Sequence, residues 1–209
     1  MPSPSSSASQ APAPDPDRRP PGGPVLQDSV TEAISAAFFE ELASVGYARL
    51  SLEAVAKRAG AGKAAIYRRW PSKLEMTVAL VSVVAVDAPE VADSGTLRGD
   101  VLAFLTELAG ALRHRLISKI IPDLVAEGTR NPELGQALFT AVRDARRSKA
   151  THMLERAIER GELPADVDRE FALDLLAGPL YWRLAVVHTP TAPDYLDRLA
   201  DKLLAAFIA

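Results

Sequence analysis

Apolar residues recur at intervals of three and four along most of the chain, and this spacing is typical of amphipathic α-helices. The first such series occupies one helical face and comprises Val30, Ile34, Phe38, Leu42 and Val45. A capping box at Ser29 precedes the series and Gly46 follows it, so the pattern predicts a helix that ends at Gly46. We find no alternating strand pattern, hairpin signal or internal repeat, and the sequence therefore predicts an all-α fold.

The stretch from Leu50 to Glu75 predicts two short helices followed by the start of a longer one. Ser51 is a suitable N-cap for the first, because its hydroxyl can accept a hydrogen bond from an amide of the first turn. Gly60 suits the left-handed residue that ends many helices. The second helix covers Lys63 to Trp70, and Ser72 to Glu75 forms a capping box for the third. Helix, glycine turn and short helix together indicate a helix-turn-helix.

Charge is distributed unevenly along the chain. The formal net charge is -3, yet all six charged residues from Lys57 to Lys73 are positive. A basic patch on an acidic protein indicates a polyanionic partner for that patch alone. A solvated basic helix hairpin is the alternative interpretation, but the ordered caps and paired apolar faces favour a nucleic-acid contact.

On a helical wheel, the second helix of this stretch has Ile66 and Trp70 on its inner side. Its outer side combines alanines with Arg68 and Tyr67, and such a face can enter a major groove because small side chains permit close approach. We expect Arg68 to contact a guanine edge. The hydroxyl and ammonium groups around it are expected to contact DNA phosphates. The predicted DNA-binding residues are Ser51, Lys63, Ala64, Ala65, Tyr67, Arg68, Arg69 and Lys73.

The residues from about 28 to 80 resemble the DNA-binding domain of the TetR (tetracycline repressor) family of transcriptional regulators. The resemblance rests on Ala33, Ala36, Phe39, Gly46-Tyr47, Ser51-Leu52-Glu53-Ala54-Val55-Ala56, Ala59-Gly60, Ile66-Tyr67 and Trp70-Pro71-Ser72-Lys73. Two positions depart from the family pattern. Ala61-Gly62 stands where the family usually has Val-Ser, so a weaker glycine cap is expected for the recognition helix. Ala65 stands where Thr or Pro is common, so a polar contact is absent.

Beyond this stretch the pattern predicts a second, larger helical domain. The uncharged residues 79–86 predict that the end of the fourth helix is buried. Later helices are expected over about 96–115, 117–127, 132–160, 169–187 and from 194 onwards. Gly99 and Gly110, inside the first of these, indicate either close helix contact or room for a ligand. The predicted domains are a disordered Pro-, Ser- and Ala-rich tail over 1–27, a three-helix helix-turn-helix domain over 28–73 and a helical ligand-binding and dimerisation domain over 74–209.

The tail contains Arg18 and Arg19, which could contact DNA as a basic arm does. A solubilising tail is the simpler interpretation, because two arginines without a pattern are weak evidence.

The last two predicted helices carry long apolar faces and are expected to form an antiparallel hairpin. Two copies of that hairpin would make a four-helix bundle across a two-fold axis. The resemblance implies the same arrangement, since members of the family are homodimers. The predicted dimer-interface residues are Leu176, Leu180, Leu184, Val187, Leu196, Leu199 and Leu203.

The resemblance also implies a ligand pocket between about 96 and 182. The apolar residues there favour a small hydrophobic effector, although ordinary core packing is the simpler explanation for each one taken alone. The candidate lining residues are Phe104, Leu108, Leu112, Phe139, Met153, Tyr181 and Trp182.

Other classes of protein have little support in the sequence. Cysteine is absent, which excludes disulfides and cysteine metal sites and fits a cytoplasmic location. The three histidines are far apart, and no nucleotide-binding glycine loop or hydrolase motif is present, so we expect no catalytic residue, metal or cofactor. The longest uncharged apolar run, 76–86, is too short for a membrane span, which needs about 20 residues.

The remaining alternative is an architectural DNA-binding protein without a ligand, which would not need a large C-terminal domain. We therefore expect a transcriptional repressor that binds a near-palindromic DNA operator as a homodimer and leaves it when the effector binds.

Overall fold

The computed structural model describes residues 24–86, 93–138, 140–141 and 144–208. The described residues are mainly helical and contain no β-strand, so the predicted all-α fold is confirmed. Their α-helices are α1 Pro24–Arg49, α2 Leu52–Ala59, α3 Lys63–Arg69, α4 Lys73–Val86, α5 Leu97–Arg113, α6 Ile117–Arg130, α7 Pro132–Leu138, α8 Asp144–Glu159, α9 Arg169–Tyr181 and α10 Tyr195–Ile208. Most of the predicted tail, with Arg18 and Arg19, lies outside the described residues.

Several caps are those that the sequence predicts. The Ser51 hydroxyl accepts a hydrogen bond from an amide of the first turn of α2 at 3.3 Å. Gly60 ends α2 in the left-handed conformation, with φ of 64°. Gly62 precedes α3 and makes no side-chain capping bond. The turn between α2 and α3 therefore follows from local sequence rules.

The start of α1 and the helix expected over 132–160 differ from the prediction. α1 begins at Pro24 instead of Ser29, because proline suits the first helical position, where its missing amide has no partner to lose. In place of the single helix expected over 132–160, the structure has two helices, α7 and α8. Residues 140 and 141, between them, are in π-helical conformation. Leu134 in α7 and Met153 in α8 pack in different hydrophobic cores, so the two helices have different packing partners.

Buried side chains form two hydrophobic cores. The C-terminal core is built from α5, α8, α9, α10 and the π-helical turn Trp182–Val186, and includes Leu105, Met153 and Leu176. The N-terminal core is built from α1 to α4 together with residues of α6 and α7: its members are Ile34, Ala37, Phe38, Leu42, Tyr47, Leu50, Leu52, Val55, Ala56, Ile66, Met76, Leu80, Ile120, Leu124 and Leu134. The cores thus do not divide at residue 74, because α6 and α7 complete the first one.

α1 bends at Gly46, where φ is 74° and ψ is 165°. A side chain at this position would be strained, and an added Cβ would lie only 2.6 Å from a carboxylate oxygen of Asp123 in α6. The same carboxylate accepts a hydrogen bond from the Tyr47 amide at 2.8 Å. α6 is therefore attached to the end of α1 by a polar contact as well as by apolar packing.

The end of α4 does not have the predicted burial. Val83 and Val84 are 53% and 43% exposed, because only the first half of α4, through Met76 and Leu80, faces the N-terminal core. In the part of the chain that the structure describes, no helix is long and apolar enough to cross a membrane.

Candidate nucleic-acid interface

The orientation of α3 is determined by its inner side. Ile66 is fully buried and Trp70 is half-buried against the N-terminal core, which confirms the predicted inner side of the helix. Of the six predicted DNA-binding residues on α3, five are open to solvent: Lys63, Ala64, Tyr67, Arg68 and Arg69. The sixth, Ala65, is half-buried. α3 therefore presents a surface of small and polar side chains beside the turn.

A cation without an intramolecular partner lies on this outer side. Arg68 is exposed, and no hydrogen bond or ion pair joins it to another described residue. Neighbouring arginines differ, since Arg58 pairs with Glu41 at 2.7 Å and Arg69 donates to the Thr31 hydroxyl at 2.6 Å. A guanidinium presents a planar fork of donors that matches the O6 and N7 acceptors of guanine. Arg68 is thus free to contact a base edge.

Sequence reasoning missed an acidic residue beside this surface. Glu53, in the first turn of α2, accepts hydrogen bonds from the Tyr67 hydroxyl at 2.8 Å and the Ser51 hydroxyl at 3.0 Å. Lys63 Nζ lies 3.7 Å from the same carboxylate. The hydrogen bond from Tyr67 is the largest cause that lowers the pKa of Glu53 to about 2. Three predicted DNA contacts therefore share one carboxylate in this structure.

The proximity of Ser51 and Glu53 is visible in the sequence, because an acid two residues after an N-cap lies in the same helical turn. The contact with Tyr67 is not, since only the angle between α2 and α3 brings the two side chains together. That contact also raises the pKa of the Tyr67 hydroxyl, because ionisation would place two negative charges side by side.

Lys73, which the sequence predicts as a phosphate contact, is engaged within the protein. Its ammonium donates to the carbonyls of Tyr47 and Ala48 at 3.0 and 3.1 Å and lies 4.6 Å from the centroid of the Tyr47 ring. These carbonyls belong to the end of α1, where a positive charge interacts favourably with the helix dipole. An ammonium has three donors, so these two bonds leave one for a phosphate.

The residues predicted to line a ligand pocket lie in and around the C-terminal core. Trp182 is 61% exposed, so it does not line an enclosed pocket of this chain, and Phe139 lies outside the described residues. Of the others, Leu112 and Met153 are buried in the core. Phe104, Leu108 and Tyr181 are half-buried against it. The buried pair is packed among core side chains.

Three residues of the predicted dimer interface require a correction. Leu176, Leu180 and Leu203 are at most 4% exposed and pack inside the C-terminal core of this chain. Leu184, Leu196 and Leu199 of the predicted interface are half-buried against that core. Val187 is 46% exposed.

The apolar residues that do face solvent lie on the other side of α9 and its π-helical continuation. Phe171, Trp182 and Val186 are 54%, 61% and 43% exposed, and Leu175 is partly exposed between them. Their spacing of four, seven and four residues places them along one helical face. Among the described residues, no group of three or more acidic or histidine side chains could hold a metal ion.

Two family models match the chain. The model described as bacterial regulatory proteins of the tetR family matches residues 34–80, which contain α2 and α3. The model described as the tetracyclin repressor-like C-terminal domain matches residues 91–203, more than half of the 209 residues. The chain belongs to the TetR family. The family indicated by the sequence is thereby confirmed, and this TetR-family chain is a DNA-binding transcriptional regulator.

Individual relatives agree over most of their length. The DNA-binding transcriptional repressor TetR of Mycobacteroides abscessus is 34% identical over 182 residues, which cover 84% of this chain and 92% of the relative. An uncharacterised HTH-type transcriptional regulator of Mycobacterium tuberculosis is 33% identical over 164 residues, covering 76% and 78%. The crystal structure of a TetR family transcription regulator superposes with a TM-score of 0.67 at 28% identity, covering 85% of this chain and 97% of that one.

Proposed function

We propose that this TetR-family regulator is a repressor that binds a near-palindromic operator as a homodimer and is released by a small, largely hydrophobic effector. Residues 28–73 contact DNA, and residues 74–209 bind the effector and the second copy. The observation that carries the proposal is Arg68, which is exposed on the recognition helix α3 and pairs with no other residue that the structure describes.

At the DNA, Arg68 contacts a guanine edge in the major groove with help from Lys63 and from DNA shape. Ala64 and Ala65 permit close approach of the helix. The hydroxyls and cations around them position the protein on phosphate: Ser51, Tyr67, Arg69 and Lys73. Since Ser51, Lys63 and Tyr67 all contact Glu53 in the structure, binding exchanges that carboxylate for phosphate oxygens.

The test begins with genomic fragments that the purified protein selects at fixed salt. Arg68→Ala should lower the preference for a selected fragment over a scrambled one by about 1–3 kcal/mol, the usual size of one bidentate base contact. Tyr67→Phe is the matched control on the same helix, because it removes one hydroxyl and should weaken both complexes by the same factor. Fluorescence anisotropy measures the six affinities, those of the wild type and both variants for each of the two fragments. An equal loss on both fragments for Arg68→Ala would refute the base-reading role, and a wild type without preference would refute the repressor.

The homodimer places two short recognition helices on successive half-sites, about 34–36 Å apart in proteins of this kind. The dimer is supported by the exposed apolar face with Phe171, Leu175, Trp182 and Val186. We propose this face as the interface because three of the predicted leucines are buried within the chain. Trp182→Ala should shift the protein from dimer to monomer in sedimentation equilibrium, because a large buried aromatic is a typical interface anchor. Val125→Ala, at an exposed position on α6, should leave the dimer unchanged. A Trp182→Ala protein that stays dimeric would contradict this interface.

A hydrophobic effector is consistent with the fold. FadR from Bacillus subtilis, solved in complex with stearoyl-CoA, superposes with a TM-score of 0.63 at 17% identity, a likeness that concerns the fold alone. We assign no catalytic role to the chain and place it in the cytoplasm, the compartment in which a bacterial regulator meets its operator. Effector-free binding to DNA as an architectural protein is the second candidate, and it predicts that no small apolar molecule changes DNA affinity.

A further inference from the structure

A groove lies where α1, the end of α4, the end of α5 and the start of α6 meet. Its volume of about 540 Å³ is within the usual range of small-molecule sites. On one wall α1 contributes Ala36, Phe39 and Glu40. The rest of the lining consists of Val84, Gly110, Ala111, His114, Leu116 and Ile117. None of the seven residues predicted to line a pocket is among them, so this groove is a different location.

Two lining residues show that the groove is open. Val84 is 43% exposed although the sequence predicts a buried end of α4. Gly110, for which the sequence indicates close helix contact or room for a ligand, has no atom within 4 Å of an added Cβ. Close contact is thereby excluded at Gly110, and Ala36 on the facing wall is small and exposed as well. The space between these walls is therefore not filled by side-chain packing.

The polar side chains of the lining are Glu40 and His114. Glu40 forms an ion pair with Arg115, and the hydrogen bond from Arg115 holds the pKa of Glu40 below its ordinary value. The charge of this carboxylate is therefore compensated within the protein, and a charged ligand would gain little. An uncharged apolar molecule fits the lining, with one hydrogen-bonding group directed to the exposed ring of His114.

We propose that this groove binds an uncharged, largely apolar effector that contacts the DNA-binding half and the C-terminal core simultaneously. One wall belongs to α1, whose far end carries Tyr47 and its attachment to α6, and the other belongs to α5 of the C-terminal core. The ligand alters DNA affinity to the extent that it prefers one spacing of α1 and α5 over another. Its effect on DNA rests on the proposed function, whereas the site itself does not.

The test uses N-phenyl-1-naphthylamine, an uncharged apolar fluorophore whose emission rises in an apolar site, and the full chain. Gly110→Leu and Ala36→Leu fill the groove from opposite walls. Ala126→Leu adds the same side chain at an exposed position of α6 that is not part of the lining. Wild type and Ala126→Leu should bind the probe saturably, and both filled variants should bind it at least about tenfold more weakly. Circular dichroism melts establish that each variant is folded.

Unchanged probe affinity in the two filled variants, or the absence of saturable binding by the wild type, overturns the site. A second arm measures affinity for a selected genomic fragment with and without saturating probe. Weaker DNA binding in the wild type and Ala126→Leu, but not in the filled variants, supports the effector role, and DNA affinity that the probe does not change overturns it. A wild type that binds no fragment refutes the proposed function, while the fluorescence result still decides the site.

Discussion

The N-terminal and C-terminal cores are both apolar, but they draw on the chain differently. The C-terminal core takes all its helices from residues after 96. The N-terminal core takes Ile120, Leu124 and Leu134 from α6 and α7, far along the chain from the helix-turn-helix. Packed cores resist gradual deformation, so we expect a change in α6 to reach α2 through α1, the helix that contacts both. The two halves of the chain are therefore joined by shared packing in addition to the connection through α4.

The largest expected effect tests that shared packing. Leu134→Ala removes a fully buried side chain of α7 and should lower the free energy of unfolding by about 2–5 kcal/mol. Because α7 contacts α4 and α6, hydrogen exchange should rise first in those two helices, which contribute to the N-terminal core. Mass spectrometry of exchanged peptides measures this response directly.

Leu154→Ala is the matched control, since Leu154 is equally buried but belongs to the C-terminal core. It should cost a similar amount and increase exchange in α5 and α9 first. If both variants gave the same exchange pattern, the distinction between the two cores would be lost.

A smaller effect concerns the polar attachment of α6. Asp123→Ala removes the acceptor of the Tyr47 amide and should cost about 1–3 kcal/mol, the usual penalty for an unsatisfied buried donor. Asp123→Asn keeps an acceptor of the same shape and should cost less. Thermal melts give the stabilities, and DNA titrations show whether the loss also changes operator affinity. Equal stability of the alanine variant and the wild type would contradict a structural role for this bond.

The smallest effect concerns Glu53 and Tyr67. Tyr67→Phe removes the largest cause of the low pKa of Glu53 and should move it from about 2 towards the ordinary 4.5. A carboxylate with a depressed pKa stabilises the fold above its unfolded pKa, and this contribution is lost as the pH falls towards the folded value. The variant should therefore lose less stability than the wild type between pH 4.5 and 2. NMR titration of the Glu53 carboxyl measures the shift, and an unchanged pKa would argue against the hydrogen bond.

Much of the helix-turn-helix could be predicted because its signals are local. Ser51, Gly60 and Gly62 adopt the expected capping conformations, and periodicity identified the buried side of α3 through Ile66. Periodicity shows which face of a helix is apolar but not which helix covers it. For this reason the sequence predicted neither the packing of Leu134 in the N-terminal core nor the burial of Leu180 inside the C-terminal core.

The candidate site shows the same limit. Arg68 could be identified from its position on the outer face of α3, because exposure there follows from the helical period. The contact between Glu53 and Tyr67 spans fourteen residues and depends on the angle between two helices, which the local sequence does not specify. The sequence did not predict the groove beside Gly110 unambiguously, because a glycine inside a helix is as compatible with close helix packing as with open space.

The outer face of α3 has a consequence for how such regulators diverge. Ala64 and Arg68 are exposed, and neither side chain belongs to either hydrophobic core. Substitutions at exposed positions of this kind usually change stability by no more than about 0.5 kcal/mol. After gene duplication, the preferred operator sequence can therefore drift by single substitutions while folding and effector response are inherited unchanged.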